Sequence, residues 1–361
     1  MRNRFMQSGL AFIALVLCSS PLLAGGKDEH FHCPAGQVAK RVENNKHHIG
    51  HHFVCVPKPD LSGDVAELKA VVRSQNDIIA TLQSAVADLQ AKLDCMSKTG
   101  DDVYFTGCNV HIRNGMGATE PGVNGLGNLI VGYNEDATSI PVNPPLEPSV
   151  RTGSHNIIVG AGHSYTDRGG LVVGVGNRIM ARFAVVTGGF NNTASGAYAN
   201  VSGGYNNLAS GDFSSVRGGG LNTASGYSAT VTGGQLNLAS GTASSVSGGE
   251  QNTASGETSS VSGGQLNIAS GPKFASVSGG FINIASGFAA SVSGGGQNEA
   301  SSLGASVSGG QLNSASVGQS STVSGGFHNS ASADFATVGG GGNHIAGSPQ
   351  SWAAGTLFES M

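Results

Sequence analysis

Residues 231–256 read V-T-G-G-Q-L-N-L-A-S-G-T-A-S-S-V-S-G-G-E-Q-N-T-A-S-G, and the valine, the Gly-Gly step and the asparagine each return after fifteen residues. The same spacing runs from Val186 to Val338 with two single-residue slips. A short fixed period is typical of a stack of similar coils, each of which buries its inner face against its neighbours. The repeat therefore predicts a solenoid.

The alternation within each cell predicts which side chains face inward. Val246 is expected to point into the solenoid and Ser247 outward, because successive residues of a strand face opposite sides. In N-x-A the Asn and Ala are expected inside, with hydrogen bonds from coil to coil along the stacked Asn side chains. The glycines of the Gly-Gly and Ser-Gly steps are expected to supply turns with positive φ. Two short strands and two tight turns fill fifteen residues, so the fold class is mainly β, with about thirteen coils.

The repeats occupy residues 160–347, and 348–361 form a C-terminal tail. Before them, 99–159 are assigned to a connector and the first β-coils, interrupted by a Pro-rich insertion from Ile140 to Pro148. Such insertions become loops, and loops often carry binding sites. The first and last cells have a histidine where the others have Asn, which we interpret as end-coil variation: His163 and His344.

Residues 61–98 have a different periodicity, because their apolar residues alternate spacings of four and three as far as Met96. That is a heptad seam, and it predicts an α-helical coiled coil before the solenoid. Val or Ile at position a with Leu at position d favours two helices. Apolar g positions widen the stripe and favour three or more helices: Val71, Ile78 and Ala85. We therefore predict a homo-oligomer, with a trimer favoured.

Residues 1–24 have the features of a secretory signal peptide, with cleavage expected after Ala24. No later segment is long and apolar enough to span a bilayer, so we expect a secreted or cell-surface protein without an integral membrane segment in the mature chain. Export permits disulfides. Proximity favours pairing Cys33 with Cys55 and Cys95 with Cys108. The sequence leaves open whether the second pair links neighbouring chains.

A small module rich in Cys and His occupies residues 25–60. Two histidines on one face can bind zinc, copper or nickel. The alternative is a hairpin pinned by a disulfide, with a His-rich exposed face. No C-x-x-C or H-E-x-x-H pattern is present, so no metal is assigned. The weak candidates for metal ligands are His47, His48, His51 and His52.

Composition argues against several functions. Charged residues make up 11% of the chain and the net charge is −4, so no basic patch supports nucleic-acid binding. Carboxylates are sparse in the repeats, and no G-x-S-x-G elbow with Asp and His partners is present. We therefore predict a non-enzymatic protein, with no catalytic or cofactor-binding residues and no cofactor.

The cells resemble the head repeats of trimeric autotransporter adhesins and related haemagglutinin-like proteins. Their pattern, V-A-I-G-x-x-A-x-A-x-G, aligns without gaps with V-S-G-G-E-Q-N-T-A-S-G at 246–256, and the resemblance covers roughly 128–347. It implies a left-handed parallel β-roll, three chains side by side, and coiled coils that continue the fibre. The family's usual Ile is Gly248 here, which is expected to thin the buried face.

The chain departs from that family in two further ways. It stops at S-W-A-A-G-T-L-F-E-S-M without the C-terminal membrane anchor, and its coil precedes its roll. We therefore expect an adhesin-like head on a secreted or peripherally held fibre, which makes multivalent contacts with a glycan or protein. The alternatives are a solenoid that binds ice or a crystal surface and a structural protein like a phage tail fibre. The mixture of Thr, Leu, Glu and Ser at the outward position of N-x-A opposes the first, and the signal peptide opposes the second.

Overall fold

The structure is a computed structural model, which describes residues 32–42, 52–120 and 122–355. These residues form two compact units, with the boundary between Cys108 and Asn109. Each unit is described by itself below.

The first unit contains two hairpins and one long helix. Strands β1 (Gln37–Val42) and β2 (His52–Pro57) pair antiparallel, α1 spans Ser62–Lys92, and β3 (Met96–Thr99) pairs antiparallel with β4 (Asp102–Phe105). The helix predicted over 61–98 therefore ends at Lys92. Met96 belongs to a strand instead of the helical seam, because an apolar residue at heptad spacing does not reveal that a hairpin has begun.

The second unit is a parallel β-solenoid. It begins with β5 (Leu129–Val131), a 3-10 helix η1 (Ala137–Ser139), β6 (Ile157–Ala161), β7 (Ser164–Tyr165) and β8 (Leu171–Val175). The remaining strands have two residues each: β9 Arg178–Ile179, β10 Val185–Val186, β11 Thr193–Ala194, β12 Asn200–Val201, β13 Leu208–Ala209, β14 Ser215–Val216, β15 Thr223–Ala224, β16 Thr230–Val231, β17 Leu238–Ala239, β18 Ser245–Val246, β19 Thr253–Ala254, β20 Ser260–Val261, β21 Ile268–Ala269, β22 Ser276–Val277, β23 Ile284–Ala285, β24 Ser291–Val292, β25 Glu299–Ala300, β26 Ser306–Val307, β27 Ser314–Ala315, β28 Thr322–Val323, β29 Ser330–Ala331, β30 Thr337–Val338, β31 Ile345–Ala346 and β32 Trp352–Ala353.

These strands form two long parallel sheets. The valine sheet has fifteen strands, namely β5, β6 and every even-numbered strand from β8 to β32, and the alanine sheet has thirteen, the odd-numbered strands from β7 to β31. Each strand pairs with its equivalent in the next coil, so Val246 pairs with Val261 and Ala254 with Ala269. The predicted solenoid of about thirteen coils of roughly fifteen residues is confirmed.

The interior is narrow and consists of small side chains. Val246, Ala254 and their equivalents in nearly every coil are fully buried, whereas Ser247 is exposed, as the alternation predicted. A further inward position holds Ala or Ser, as in Ala229 and Ser244. Because each coil covers only its two neighbours, the stability of the core depends on stacking, not on a central cluster.

The buried Asn of each coil satisfies the main chain of its neighbours. The side-chain amide of Asn222 donates to the carbonyl oxygens of Gly218 at 3.0 Å and Gly234 at 2.9 Å. Its Oδ1 accepts the main-chain N–H of Asn237 at 3.0 Å. The coil-to-coil bonds predicted for these residues are present, but they join side chain to main chain, not amide to amide. This row is called the Asn ladder below.

His163 begins the Asn ladder. Its ring is buried, Nε2 lies 3.1 Å from the carbonyl oxygen of Val159, and Nδ1 lies 3.2 Å from the main-chain nitrogen of Asn177. A neutral imidazole with its proton on Nε2 therefore reproduces the donor and acceptor of an Asn amide. Burial lowers the pKa of His163 below its ordinary value of 6.5, which keeps this form. At the other end, the N–H of His344 donates to Oδ1 of Asn329.

The two glycine steps of the repeat differ in backbone conformation, and only the Gly-Gly step has the predicted positive φ. Gly249 has φ +84, as expected, but Gly241 of the Ser-Gly step does not have positive φ. A Cβ on Gly241 would collide with the carbonyl oxygen of Gly256 in the next coil, so close approach selects glycine there. Left-handed backbone instead occurs at Ala243 and Gln251.

The expectation that Gly248 thins the buried face was wrong for the single chain. A Cβ built on Gly248 meets no atom within 4 Å, so this position opens toward the outside of the coil. The same holds for its equivalents Gly203, Gly218, Gly233 and Gly263. The absence of the family's Ile therefore leaves the core of the coil unchanged.

Candidate binding surfaces

Most of the candidate metal ligands lie outside the residues that the structure describes. His47, His48 and His51 lie outside the described residues, and only the main chain of His52, in β2, is described. Within 32–42, 52–120 and 122–355, no group of three or more His, Cys, Asp or Glu side chains is placed to hold a metal ion. In the same part of the chain, no helix is long and apolar enough to cross a membrane.

Both disulfides form between the cysteines that lie near each other in sequence. Cys33 and Cys55 pin the β1–β2 hairpin, with their Cα atoms 5.6 Å apart. Cys95 and Cys108 close the β3–β4 hairpin, with their Cα atoms 6.0 Å apart. The sequence left open a link between neighbouring chains for the second pair, but the structure joins it within one chain.

Helix α1 presents an apolar seam that none of the described residues of its own unit buries. No residue of the helix is buried, and its large apolar side chains are between 46% and 64% exposed. They are Leu61, Val65, Leu68, Val71, Val72, Ile78, Ile79, Leu82, Val86, Leu89 and Leu93. An exposed apolar stripe of this length is typical of association surfaces, since burying it removes a large apolar area from water.

The outer side of the valine sheet is a double row of hydroxyl groups, here called the hydroxyl face. One row directly precedes the buried valines and the other directly follows them. The rows are Ser215, Thr230, Ser245, Ser260, Ser276, Ser291, Ser306, Thr322 and Thr337, and Ser202, Thr232, Ser247, Ser262, Ser278, Ser293, Ser308 and Ser324. Arg217 is the one charged interruption of the second row. Strand spacing repeats these hydroxyls about every 4.8 Å along the solenoid.

The outward direction of Ser247 follows from the sequence, but only the mixed outward position of N-x-A was used to argue against an ordered solid as ligand. That mixed row lies on the outer side of the alanine sheet: Thr193, Leu208, Thr223, Leu238, Thr253, Ile268, Ile284, Glu299, Ser314 and Ser330. The signal for the hydroxyl face was present in the repeated S-V-S and T-V-T triplets, where the buried valine is flanked on both sides by small hydroxyl residues. The two faces of the solenoid therefore differ chemically.

A corner of the solenoid beside the alanine sheet is apolar. The residue before each ladder Asn has left-handed backbone and is often large and apolar: Leu221, Leu236, Leu266 and Leu312, which are exposed, and Ile282, which is half-buried. This set is called the leucine ridge. Next to it, Tyr205 leans across Gly220, where a Cβ would meet its ring, and its hydroxyl accepts a hydrogen bond from Gln235 at 3.3 Å.

The Pro-rich insertion packs against the first coils at this corner. Leu146 is buried and lies against Gly176, where a Cβ would meet its side chain at 2.6 Å. A groove of about 580 Å³ remains between the insertion and residues that include Phe190, Asn206 and Leu221. The insertion thus covers the start of this corner and leaves the later coils uncovered.

Asp136 anchors the insertion where it leaves the coil. Its Oδ1 accepts hydrogen bonds from the N–H and hydroxyl of Thr138 at 3.0 and 2.7 Å, and its Oδ2 accepts the N–H of Ser149 at 3.1 Å. These bonds, led by those from Thr138, lower the pKa of Asp136 to about 2. The carboxylate therefore stays charged at ordinary pH. It binds Thr138 just before the Pro-rich insertion and Ser149 just after it, so one side chain connects the two ends of the insertion.

The opposite corner carries a stack of aromatic rings. The ring centroids of Phe183 and Tyr198 are 5.1 Å apart, and those of Tyr198 and Phe213 are 4.9 Å apart with nearly parallel planes. Tyr227 meets Phe213 edge to face at 5.5 Å. The rings contact one another from coil to coil, so this row adds to the stability of consecutive turns.

Comparison with known proteins gives one short match. Residues 321–332 are similar to the repeat of the ubiquitous surface protein adhesin family. The matched stretch contains β28, one Gly-Gly step and the ladder residue Asn329, so it lies within a single coil. No curated protein sequence matches the chain. The solenoid and this short similarity are compatible with an adhesin-like surface protein.

Proposed function

We propose that this protein is an exported, non-enzymatic, trimeric fibre whose solenoid head makes multivalent contacts with a surface glycan or protein. The proposal includes a parallel coiled coil of three α1 helices and a left-handed β-roll. The observation that carries it is the exposed apolar seam of α1, because a helix of this kind acquires its stability from identical neighbours.

The width of the seam supports three helices over two. Val71 and Ile78, at the g positions, are about as exposed as Val72 and Ile79 at the a positions. A two-helix interface buries mainly a and d, whereas additional helices cover the g positions as well. A 31-residue helix extends about 46 Å, which is enough for roughly four heptads.

Oligomerisation gives the head its mechanism. Each chain repeats the hydroxyl groups of the hydroxyl face in successive coils from Ser202 to Thr337, so a trimer presents many copies of one weak contact. Linked weak contacts act through effective concentration, and their combined affinity exceeds that of one contact by orders of magnitude. The adhesin-repeat similarity at 321–332 favours a surface ligand over an intracellular partner.

Analytical ultracentrifugation of residues 25–361 tests the oligomer, with three times the mass of one chain as the expected result. An array of glycans and matrix proteins then tests adhesion, with the trimer binding at least about tenfold more tightly than a monomeric variant. A single-chain mass would remove the multivalent mechanism. Equal binding by trimer and monomer would do the same.

The hydroxyl face favours a second candidate function, binding to ice or another ordered solid. Its two rows repeat about every 4.8 Å along the solenoid and lie about 6.7 Å apart, which is a flat two-dimensional lattice of hydrogen-bonding groups. Thermal hysteresis and ice-recrystallisation assays test this function. The control is Ser247→Lys together with Ser262→Lys, which disrupts the lattice without reaching the core. Absence of activity in the unchanged protein rejects this candidate.

A further inference from the structure

The groove beside the Pro-rich insertion lies where the first coils depart from the leucine ridge. The residue before the ladder residue is Gly162 and then Gly176 in the first two coils, Asn191 and Asn206 in the next two, and Leu221 in the fifth. The insertion covers the two glycines, and the ridge begins with the leucine. The two asparagines between them line the groove, which has a volume of about 580 Å³.

The insertion supplies the apolar side chains that the two glycines lack. A Cβ on Gly162 would lie 3.1 Å from the side chain of Ile140, and one on Gly176 would lie 2.6 Å from that of Leu146. Side chains of the insertion therefore occupy the places that the ridge residues occupy in later coils. Leu146 is buried there, which fixes the insertion on the coils, and the Pro-Pro step at 144–145 beside it lines the groove.

Asn191 and Asn206 form a pair of amides in neighbouring coils. The Nδ2 of Asn191 donates to the Oδ1 of Asn206 at 2.7 Å. Each amide has a donor and an acceptor, so the pair keeps one carbonyl oxygen and one NH2 group without a partner in the described structure, whichever way the two amides are turned. Neither of these two atoms is sealed from solvent. The pair therefore offers a ligand in the groove one acceptor and one donor.

The other large side chains of the lining are apolar. Phe190, Leu208 and Leu221 contribute apolar surface from three successive coils, and the prolines at 144–145 contribute it from the insertion. Phe190 and Leu208 are half-buried, and Leu221 is exposed. Small-molecule sites of this volume commonly combine apolar walls with a few polar groups that orient the ligand.

The charges of the lining balance. Its one cation is Arg178 and its one carboxylate is Glu147, so a neutral ligand is favoured over a strongly charged one. Arg178 is half-buried, and its side chain forms no ion pair or hydrogen bond within the described part of the chain. Thr193 is its neighbour in the next coil and adds a hydroxyl to the lining. Donors and acceptors are therefore both available to a ligand that carries hydroxyl groups.

The position of the groove disfavours a peptide as its ligand. An extended peptide that binds as an added strand requires an unpaired sheet edge. Strands β11 and β13, which contribute to the lining, each pair with a strand on either side. Grooves for proline-rich peptides are lined by aromatic residues, whereas Phe190 is the single aromatic residue of this lining. Recognition by scattered polar side chains is better suited to a saccharide.

We propose that this groove binds an N-acetylhexosamine residue of a neutral glycan. The acetamido group has one N–H and one C=O, which match the free acceptor and the free donor of the Asn191–Asn206 pair. Its methyl group and the sugar ring cover apolar lining, and the ring hydroxyls donate to Glu147 and accept from Arg178. This inference rests on the proposed adhesive function and gives its ligand a chemical class.

Saturation-transfer NMR and calorimetric titration of the purified protein test the site. The ligands are the methyl glycosides of N-acetylglucosamine and N-acetylgalactosamine. The methyl glycosides of glucose and galactose lack the acetamido group, and N-acetyl-tetra-alanine amide carries amides without a sugar ring. We expect saturable binding of at least one acetamido sugar, and at least about tenfold weaker binding of each comparison ligand.

Two substitutions in the groove copy residues that other coils already use. Asn206→Leu installs the residue of the next coil, Leu221, which has the same left-handed backbone, so the variant is expected to fold. Arg178→Thr installs the residue that Thr193 provides one coil later. We expect each variant to bind the acetamido sugar at least about tenfold more weakly. Gln251→Leu makes the same kind of change at the equivalent position of a coil outside the groove and is expected to bind as the unchanged protein does.

Four results would overturn the inference. They are no saturable binding of either acetamido sugar, equal binding of the sugars without the acetamido group, peptide binding as tight as that of the acetamido sugars, and affinity unchanged by Asn206→Leu. Ultracentrifugation and the ligand array test the trimeric adhesin separately. A trimer that adheres to another ligand but leaves this groove empty therefore rejects the inference and not the proposed function.

Discussion

The solenoid and helix α1 both carry regularly spaced apolar side chains, yet only the solenoid buries them within one chain. Val246 and its equivalents are sealed by the coils above and below, and the Asn ladder satisfies the main chain between them. The helix seam, by contrast, is not covered by any other described part of its own unit. The solenoid therefore covers its own apolar side chains, whereas we propose that other copies of the chain cover those of the helix.

The difference predicts that the two regions respond to different perturbations. Stability of the solenoid is expected to depend on the interior of each coil and not on protein concentration. Under the proposed oligomer, the order of the helix is expected to depend on association and therefore on concentration. The following changes are arranged from the largest expected effect to the smallest.

Val246→Asp is expected to lower the free energy of unfolding of the solenoid by more than about 4 kcal/mol. The substitution puts an unpaired charge into a dry interior lined by small side chains. Ser247→Asp is the matched control, since the next residue points outward. Thermal melting followed by circular dichroism measures both variants. A melting temperature lowered equally by both would mean that the strand does not alternate as described.

Leu82→Asp tests the other region. A charge in the helix seam is expected to weaken association at least about a hundredfold and to leave the melting of the solenoid unchanged. Ser84→Asp places the same charge on the opposite side of the helix and is expected to keep the oligomer. Sedimentation of the two variants checks this. A Leu82→Asp protein that sediments like the unchanged chain would contradict the assignment of the seam.

The pH dependence of the solenoid tests the start of the Asn ladder. The pKa of His163 is lowered by burial, so the unfolded chain binds the proton more readily than the folded chain. The contribution of His163 to stability is then complete above pH 6.5 and decreases as the pH falls below that value, by up to about 1.4 kcal/mol per pH unit.

His163→Asn provides the control for that dependence. It installs the residue that other coils use and is expected to remove this part of the pH dependence while keeping the hydrogen bonds. Melting temperatures of both proteins between pH 4 and pH 8 measure the difference. Parallel curves for the two proteins would show that His163 does not titrate with folding.

Ser244→Ala is expected to stabilise the solenoid by about 1 kcal/mol. The hydroxyl of Ser244 is buried without a hydrogen-bond partner in the described structure, and the preceding coil has Ala229 at the same place. Ser321 occupies an equivalent position but lies 2.9 Å from the hydroxyl of Ser302, so Ser321→Ala is expected to be neutral or destabilising. Melting temperatures that fall in both variants would contradict this reasoning.

The sequence predicted the features that depend on period alone. Val246 inside, Ser247 outside and the stacked Asn residues follow from spacing, because a fixed period specifies which residues become neighbours. The reason for glycine at position 241 could not be predicted from the period, since glycine is equally compatible with positive φ and with close approach of two backbones. The end of α1 at Lys92 did not follow either, because Met96 continues the apolar spacing into a hairpin.

The candidate sites were less accessible to sequence reasoning. The hydroxyl face was recognisable from residues that flank the valines, such as Thr230 and Thr232. The different surroundings of Asn114 and Asn124 were not, because both residues begin N-G-x-G turns, although only the amide nitrogen of Asn124 has a hydrogen-bond partner among the described residues. That difference arises from the place of each turn in the stack, which no local pattern encodes.

Circular dichroism of the purified protein during serial dilution tests the central contrast most directly. If the solenoid folds within one chain and the order of α1 requires association with identical chains, the helical signal is lost as the concentration falls and the β signal remains. A helical signal that persists at every dilution down to a monomeric sedimentation coefficient, or a β signal that disappears together with it, would contradict the account.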